Sequence, residues 1–426
     1  MAYWMVLALA GAAHAEIRTL TLRQALDLTL EQAPEVLLSR IEEQKAQQRV
    51  RLARDPFVPK IVAGSGLAYT NGFPMSIEGS APSIIQARAI ASVYNLPQKY
   101  ALAQAKEEAR TAALDGQSRR EQAVSEVVAL FLDAERLGKM SETARRQVDS
   151  AQRSEEAVRA RVAEGRELPI EGKRSALEVA RARQRAEALE ADAAHAESSL
   201  AMVLGLDGDT RARPAGEDRV APELPPSADV AVTQALKDNR QIRSLESALL
   251  AKSLQVRSHR AERWPKFDLV AQYGLFSRFN NYEEFFQRFQ RHNGQVGVSI
   301  QVPLLLGPAS SAQAEAAEAE AARLRIEVNH TRRRISVETR RAYDVLRTVE
   351  SARQVARLDL DVARDDLSVA LARLEEGRAT LQQVEQLRRS ENEKWLAWID
   401  AHYVVERARY DLLSRTGTLI TLATPK

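Results

Sequence analysis

The stretch "ARVAEGRELPIEGKRS" (Ala160 to Ser175) has a near twin in "ARLEEGRATLQQVEQL" (Ala372 to Leu387). Both place a Glu-Gly-Arg step inside long, charge-rich, alanine-rich sequence. Glycine just past a helical run is a helix stop, so each copy reads as the reversal between two long helices. The twin is 212 residues downstream, and that offset holds without a gap from Glu126/Glu338 to Gly205/Gly417. Upstream, an offset of 206 places "ALDLTLEQAPEV" (Ala25 to Val36) on "AVTQALKDNRQI" (Ala231 to Ile242) and "VPK" (Val58 to Lys60) on "WPK" (Trp264 to Lys266). It also places Pro97 on Pro303, and the six-residue difference falls just after Pro303, around "GPASSA". The chain is therefore an internal duplication.

Each half reads as helix first. Thr21 caps a segment running to about Ala33, Pro34 opens a second helix, and the Pro56/Pro59 pair stops it near Asp55. The period then changes to two. In "KFDLVAQYGLF", Phe267, Leu269, Ala271, Tyr273 and Leu275 share a face; in "QVGVSIQVP", Val296, Val298, Ile300 and Val302 do. The first half offers Ile61, Ala63, Leu67 and Tyr69, then Ile90, Tyr94 and Leu96, as the matching faces. These are strands with one apolar and one small or polar side, at about 60–70 and 88–97, and at about 266–276 and 295–303. An ordinary sheet facing water has the same pattern. A strand of about ten residues, tilted about 40°, also covers a membrane barrel's apolar band of roughly 25 Å.

The segments between strands, Asn71 to Ala87 and Ser277 to Gly294, have loop composition. The second clusters Phe279, Tyr282, Phe285, Phe286 and Phe289, read as a short amphipathic turn, with an interfacial girdle as the alternative. After Pro97 and Pro303 helix resumes for about sixty-five residues, a rod of roughly 100 Å, and a returning helix follows each Gly-Arg turn. Such rods must pack laterally on other helices.

The resulting expectation is 1–15 signal peptide, 16–205 first repeat with hairpin 98–205, 206–228 surface linker, 229–417 second repeat with hairpin 308–416, and 418–426 tail. The signal peptide rests on the apolar run Tyr3 to Ala13 and an Ala13-His14-Ala15 cleavage pattern before Glu16; a buried N-terminal helix is the alternative. No other segment approaches eighteen apolar residues.

Composition excludes much chemistry. There is no cysteine, hence no disulfide, thiolate catalysis or acylated cysteine. The 61 basic and 58 acidic residues are interspersed, which does not argue for nucleic acid. No Walker loop, G-x-S-x-G or H-E-x-x-H occurs. The six histidines lack metal-ligand spacing, "RRR" at Arg332 to Arg334 reads as a solvated face, and Trp395 and Trp398 read as packing anchors on one helical face. No enzyme activity and no cofactor are expected. Four strands per chain cannot close a barrel, so membrane strands demand an oligomer.

The ordered motifs, "ALDLTLEQAPEV", "VPK" and "WPK" before the strands, "VSIQVP" before the long helix and the paired "EGR" turns, resemble the TolC-like outer-membrane efflux proteins over essentially the whole chain. The resemblance implies a mostly α fold with transmembrane β, internally duplicated. Long helical hairpins would form a periplasmic tunnel, and four strands per chain would join a trimeric 12-stranded barrel. It implies an exit duct for a tripartite efflux pump or type I secretion system, with a periplasmic adaptor, an inner-membrane transporter and outer-membrane lipid as partners. Without cysteine the chain resembles the unlipidated members.

In that family the hairpin tips constrict the tunnel and dock the adaptor, which would assign docking to Gly165, Arg166, Gly377, Arg378 and Thr380. The second tip resembles a Gly-x-x-Thr pattern followed by two aspartates three apart. Gly377 and Thr380 match, but the acidic positions fall on Gln383 and Gln386, with Glu385 and Glu376 as nearby carboxylates. A glutamine ring would bind cations more weakly and still permit a hydrogen-bonded closed state. The runner-up is a periplasmic coiled-coil adaptor or scaffold without a channel, against which the duplication and paired strands argue.

Overall fold

The computed structural model of the chain describes residues 16–66, 83–216, 219, 223–276 and 290–419. The signal-peptide reading, Leu67 and Tyr69, the aromatic cluster from Phe279 to Phe289 and the last residues of the tail lie outside them. The elements follow in the order β1 (Glu16–Leu20), α1 (Leu22–Gln32), α2 (Pro34–Arg54), β2 (Lys60–Gly66), β3 (Ser83–Tyr94), α3 (Leu96–Ala163), α4 (Pro169–Val203) and β4 (Thr210–Pro214). Then come α5 (Ala228–Asp238), α6 (Arg240–Arg260), β5 (Lys266–Phe276), β6 (His292–Gln301), α7 (Pro308–Glu375) and α8 (Leu381–Thr416).

The duplication is visible in the bounds. Helices α1 and α5 each have 11 residues and α2 and α6 each 21, starting 206 apart. Helices α3 and α7 each have 68 residues and start 212 apart. The reasons are local. Thr21 accepts a hydrogen bond from the Gln24 amide at 3.1 Å while Gln24 Oε1 accepts from the Thr21 amide at 3.0 Å, a capping box that opens α1. Ser227 caps α5 in the same place, and Pro34 stands at the start of α2, where no amide donor is needed.

Two compact units result. One holds 16–40, 116–240 and 331–419, and its core is Leu22 and Leu26 of α1 against Val124, Val127, Val128, Phe131 and Leu132 of α3. Leu200 of α4, Leu204 just after it and Leu413 of α8 close it. Along the helices the buried positions are dominated by alanine, among them Ala144, Ala186, Ala193 and Ala342, so the helices approach closely.

The sequence-based linker is not featureless. Within 206–228, β4 pairs in parallel with β1, Glu16 opposite Thr210 through Leu20 opposite Pro214. The first repeat accordingly opens on a strand rather than a helix. Five-residue strands carry too little alternation to stand out among Gly, Pro and Asp. Arg219, also in the connection, is half-buried and pairs with Glu135 of α3 at 2.6 Å and Glu406 of α8 at 2.8 Å, with its guanidinium over the Phe131 ring. Burial pushes the Glu135 carboxyl above the usual carboxylate range despite Arg219. Burial pulls the Arg219 guanidinium down, yet its two carboxylate partners hold it above its ordinary value.

The second unit holds 41–115 and 241–330. Within it, serines of α6 bind the first turns of α3 that the unit contains: Ser247 Oγ donates to the Glu107 carbonyl at 3.1 Å, and Ser258 Oγ to the Pro97 carbonyl at 2.9 Å. Its sheet is antiparallel in the order β2-β3-β5-β6, so two hairpins join through β3 and β5. Register sorts the side chains. Ile61 and Ala63, Ala87, Ala89 and Ala91, Phe267, Leu269 and Ala271, and Val296, Val298 and Ile300 share one face. Lys60, Gln86, Arg88, Asp268, Gln272, Gln295, Ser299 and Gln301 take the other.

Ile90 corrects the sequence reading. It lies opposite Lys60 and Val270, on the polar side. A bulge between Ser92 and Tyr94 shifts the alternation by one, so Tyr94 returns to the apolar side opposite Phe267, ring centroids 5.7 Å apart. Leu96 already belongs to α3.

Four glycines among the described residues have positive φ: Gly165, Gly205, Gly377 and Gly417, in two pairs 212 apart. Each ends a helix. A Cβ on Gly165 meets open space, whereas one on Gly205 falls 2.9 Å from the Gln32 carbonyl oxygen. Gly165→Ala is expected to cost only the left-handed conformation, about 1–2 kcal/mol, and Gly205→Ala more. Thermal unfolding of the purified variants checks this, and equal losses would dismiss the contact between the ends of α1 and α4.

Candidate functional site

The two hairpin tips are built alike. At the first, the Gly165 amide donates to the Val162 carbonyl at 3.0 Å and the Arg166 amide to the Arg161 carbonyl at 2.8 Å. At the second, Gly377 donates to Leu374 at 3.0 Å and Arg378 to Arg373 at 2.7 Å. This paired pattern around a left-handed glycine is a Schellman motif, which satisfies the last carbonyls of the helix. Across each glycine the flanking charges pair, Arg166 with Glu164 and Arg378 with Glu376, both at 3.2 Å and both exposed.

The returning helices start differently. Helix α4 has Leu168 at its cap and Pro169 in its first turn, with no side-chain cap. Helix α8 has Thr380, whose Oγ1 accepts from the Gln383 amide at 3.3 Å, while Gln383 Oε1 accepts from the Thr380 amide at 3.0 Å. Gln383 therefore closes a capping box, which gives that glutamine a local structural duty.

The other candidate gate residues separate. Glu385 is half-buried; Ser154 Oγ of α3 donates to it at 2.6 Å, and Arg388 lies 3.4 Å away. Glu376 is held by Arg378, and Gln386 is exposed on α8. Arg174 reaches Gln382 at 3.4 Å, and Arg389 reaches Glu178 at 3.1 Å, so α8 also packs on α4. The tip thus brings Thr380 and Gln383 together and presents exposed Gln386, with both carboxylates already partnered.

Some contributors are not evident in the sequence. Arg364 of α7 sits 4.3 Å over the Trp395 ring, and Trp395, Trp398 and His402 stack along α8 at centroid separations of 5.7 and 5.9 Å. Both tryptophans pack as expected; Arg364 had no local pattern to mark it. His259 pairs with Glu262 at 3.2 Å, and His292 with the Tyr273 hydroxyl at 2.8 Å. Among the described residues no group of side chains is arranged to hold a metal ion, and no helix is long and apolar enough to cross a membrane. A surface cavity of about 470 Å³ beside β4 is lined by charges that pair with one another, Arg145 with Glu190 and Arg213 with Glu197.

The family described as Outer membrane efflux protein matches residues 25–206 and 231–418, one segment for each repeat. The chain belongs to that family. This outer-membrane efflux protein is an exit duct of the outer membrane, and its relatives are channel proteins. Among solved structures it is similar to a membrane protein from Pseudomonas aeruginosa, with a TM-score of 0.78, 18% identity and coverage of 93% of this chain and 92% of that one. The Campylobacter jejuni CmeC outer membrane channel gives a TM-score of 0.78 at 13% identity, covering 93% and 85%. The outer membrane protein VceC from Vibrio cholerae gives 0.75 at 16%, covering 93% and 95%. No curated protein matches the chain significantly. Members of the family work as trimeric channels with periplasmic adaptors and inner-membrane pumps. The family match does not favour the channel-free adaptor or scaffold reading.

Proposed function

We propose that this efflux protein works as a homotrimer whose β2 and β6 edges close one barrel, conducting substrate passively and performing no chemistry. The observation that carries this is that, among the described residues, β2 and β6 are the open edges of a four-stranded sheet with one apolar face. Backbone groups left unpaired in hydrocarbon cost several kcal/mol each, so β6 of one copy must meet β2 of the next. Three copies of a four-stranded sheet give twelve strands, enough to close with the polar face lining water. Exposed Val355, Val362 and Val369, seven apart on α7 with Leu358 between, offer a stripe for a neighbouring helix. Residues 16–205 and 229–417 are then the two quasi-equivalent repeats, joined by 206–228.

The duplication supplies the register of that junction. Between repeats, Tyr94 lies opposite Phe267 and Ala91 opposite Leu269. The 206-residue offset carries Tyr94 onto Ile300 and Phe267 onto Ile61 of the next copy; β6 lacks the bulge of β3, so antiparallel pairing continued from Ile300 and Ile61 brings Val298 opposite Ala63. In this cysteine-free chain, Ala63→Cys with Val298→Cys should crosslink into closed trimers on denaturing gels. A product that stops at dimers, or no crosslink at all, defeats the ring.

In this reading the hairpin tips form the periplasmic mouth, with Gln383, Gln386, Glu385 and Glu376 at the gate. With Glu376 and Glu385 partnered and two glutamines where relatives would carry acids, the mouth holds cations weakly. Gln383→Glu with Gln386→Glu should raise cation selectivity in planar-bilayer recordings. Glutamate keeps the capping box at position 383, so folding is not the confounder that aspartate, one methylene shorter, would introduce. Unchanged selectivity would remove these positions from the pore.

The exposed tips, Gly165 and Arg166 with Gly377, Arg378 and Thr380, are the proposed docking points for a periplasmic adaptor that links the duct to an inner-membrane transporter. Charge reversal at Arg166 and Arg378 should weaken adaptor crosslinking while trimers persist. Full crosslinking in the double variant would confine those arginines to their Glu164 and Glu376 partners.

A further inference from the structure

The two repeats differ in how strand passes into helix. In the first, Asn95 alone separates β3 from α3, and its Oδ1 accepts from the Gln98 amide at 3.2 Å. In the second, β6 ends at Gln301 and α7 begins at Pro308, leaving "VPLLLG" (Val302 to Gly307) between them. That connection has no polar side chain. Leu304 and Leu305 are 94% and 93% exposed, the extreme among the large apolar residues described. Surface connections are ordinarily polar, and contiguous exposed leucines mark a surface that meets something apolar.

The direction of the chain indicates what they meet. Val296, Val298 and Ile300 alternate along the apolar side, and past Gln301 the chain leaves the sheet, bending at Leu304, with apolar side chains at every position from Val302 to Leu306. The connection thus extends apolar surface past the last paired residue of the sheet. At the same end of the sheet Trp264 stands exposed just before β5, and Lys266 lies opposite Gln301. An aromatic ring and an ammonium group at the margin of an apolar band are what a membrane–water interface selects.

We infer that the connection from Val302 to Gly307 is a lipid anchor. Leu304 and Leu305 enter the acyl chains of the leaflet that faces the helical end of the protein, at the foot of the barrel wall. The occupant is phospholipid, and the inference rests on the reading of this sheet as part of that wall. The anchor belongs to the second repeat alone, so a trimer would set one such foot per copy around its rim.

The absence of cysteine makes the test direct. Full-length protein carrying Leu305→Cys, and separately Leu269→Cys as a reference in mid-sheet, is labelled with a bimane fluorophore. Each is reconstituted into phosphatidylethanolamine–phosphatidylglycerol vesicles with nitroxide-bearing phosphatidylcholine. Both positions should lose most of their emission to the lipid-borne nitroxide and little to aqueous iodide. Leu305 should respond best to a nitroxide placed near the headgroup. If Leu269 is quenched by lipid and Leu305 by iodide, the anchor is overturned and the barrel stands. If Leu305 is quenched by neither, a second copy covers it and the anchor is again overturned. Failure of lipid quenching at both positions would overturn the barrel reading and the anchor with it.

Discussion

The unpaired backbone at the edges of a four-stranded sheet governs the rest of this molecule. In water, an edge strand is tolerable because solvent completes its hydrogen bonds. In hydrocarbon nothing does, so the four-stranded sheet β2, β3, β5 and β6 of the described residues is incomplete as a membrane wall. The chain answers within itself once, where β3 of the first repeat pairs with β5 of the second. The proposed ring repeats that junction between copies, so that the same surfaces close it without a new kind of contact. Oligomerisation is thus a condition for the channel to exist, rather than an added refinement.

Duplication made that economy possible, and it also fixed the helical part. Each repeat spends two glycines on left-handed helix ends, one at the far turn and one where the returning helix stops. These are the places where a rod must end with its last carbonyls satisfied. Where the repeats diverge, the divergence has physical content. The second tip adds a capping box through Thr380 and Gln383 that the first, with Leu168 and Pro169, lacks. The second strand-to-helix passage adds the leucine-rich connection. Copies that began equal have kept their common frame and varied at its ends.

Much of the fold was legible because its signals are periodic or punctuated. Long alanine-rich runs read as helix, Pro34 and Thr21 marked starts, Gly165 and Gly377 marked turns, and strict alternation in "QVGVSIQVP" gave β6. What escaped had no local signature. Strand β4 is held by its parallel partner β1, a pairing between residues about 200 apart in sequence. Ile90 was assigned the wrong side because a bulge is a departure from alternation, and its position depends on the neighbouring strand. Arg219 lies in the connection read as a surface linker, yet it is half-buried between Glu135 and Glu406. At the tip, Gln383 stood out against an expected acid, but its side chain is occupied by the helix start.

The sequence alone determined the repeats, the long helices, the reversal points and the apolar faces of three strands, since each follows from composition and spacing within a few turns of chain. Tertiary structure decided which strands are neighbours, where the inter-repeat segment is pinned, and which tip side chains already have partners. Those outcomes depend on contacts between residues far apart in the chain, which intrinsic propensity does not encode.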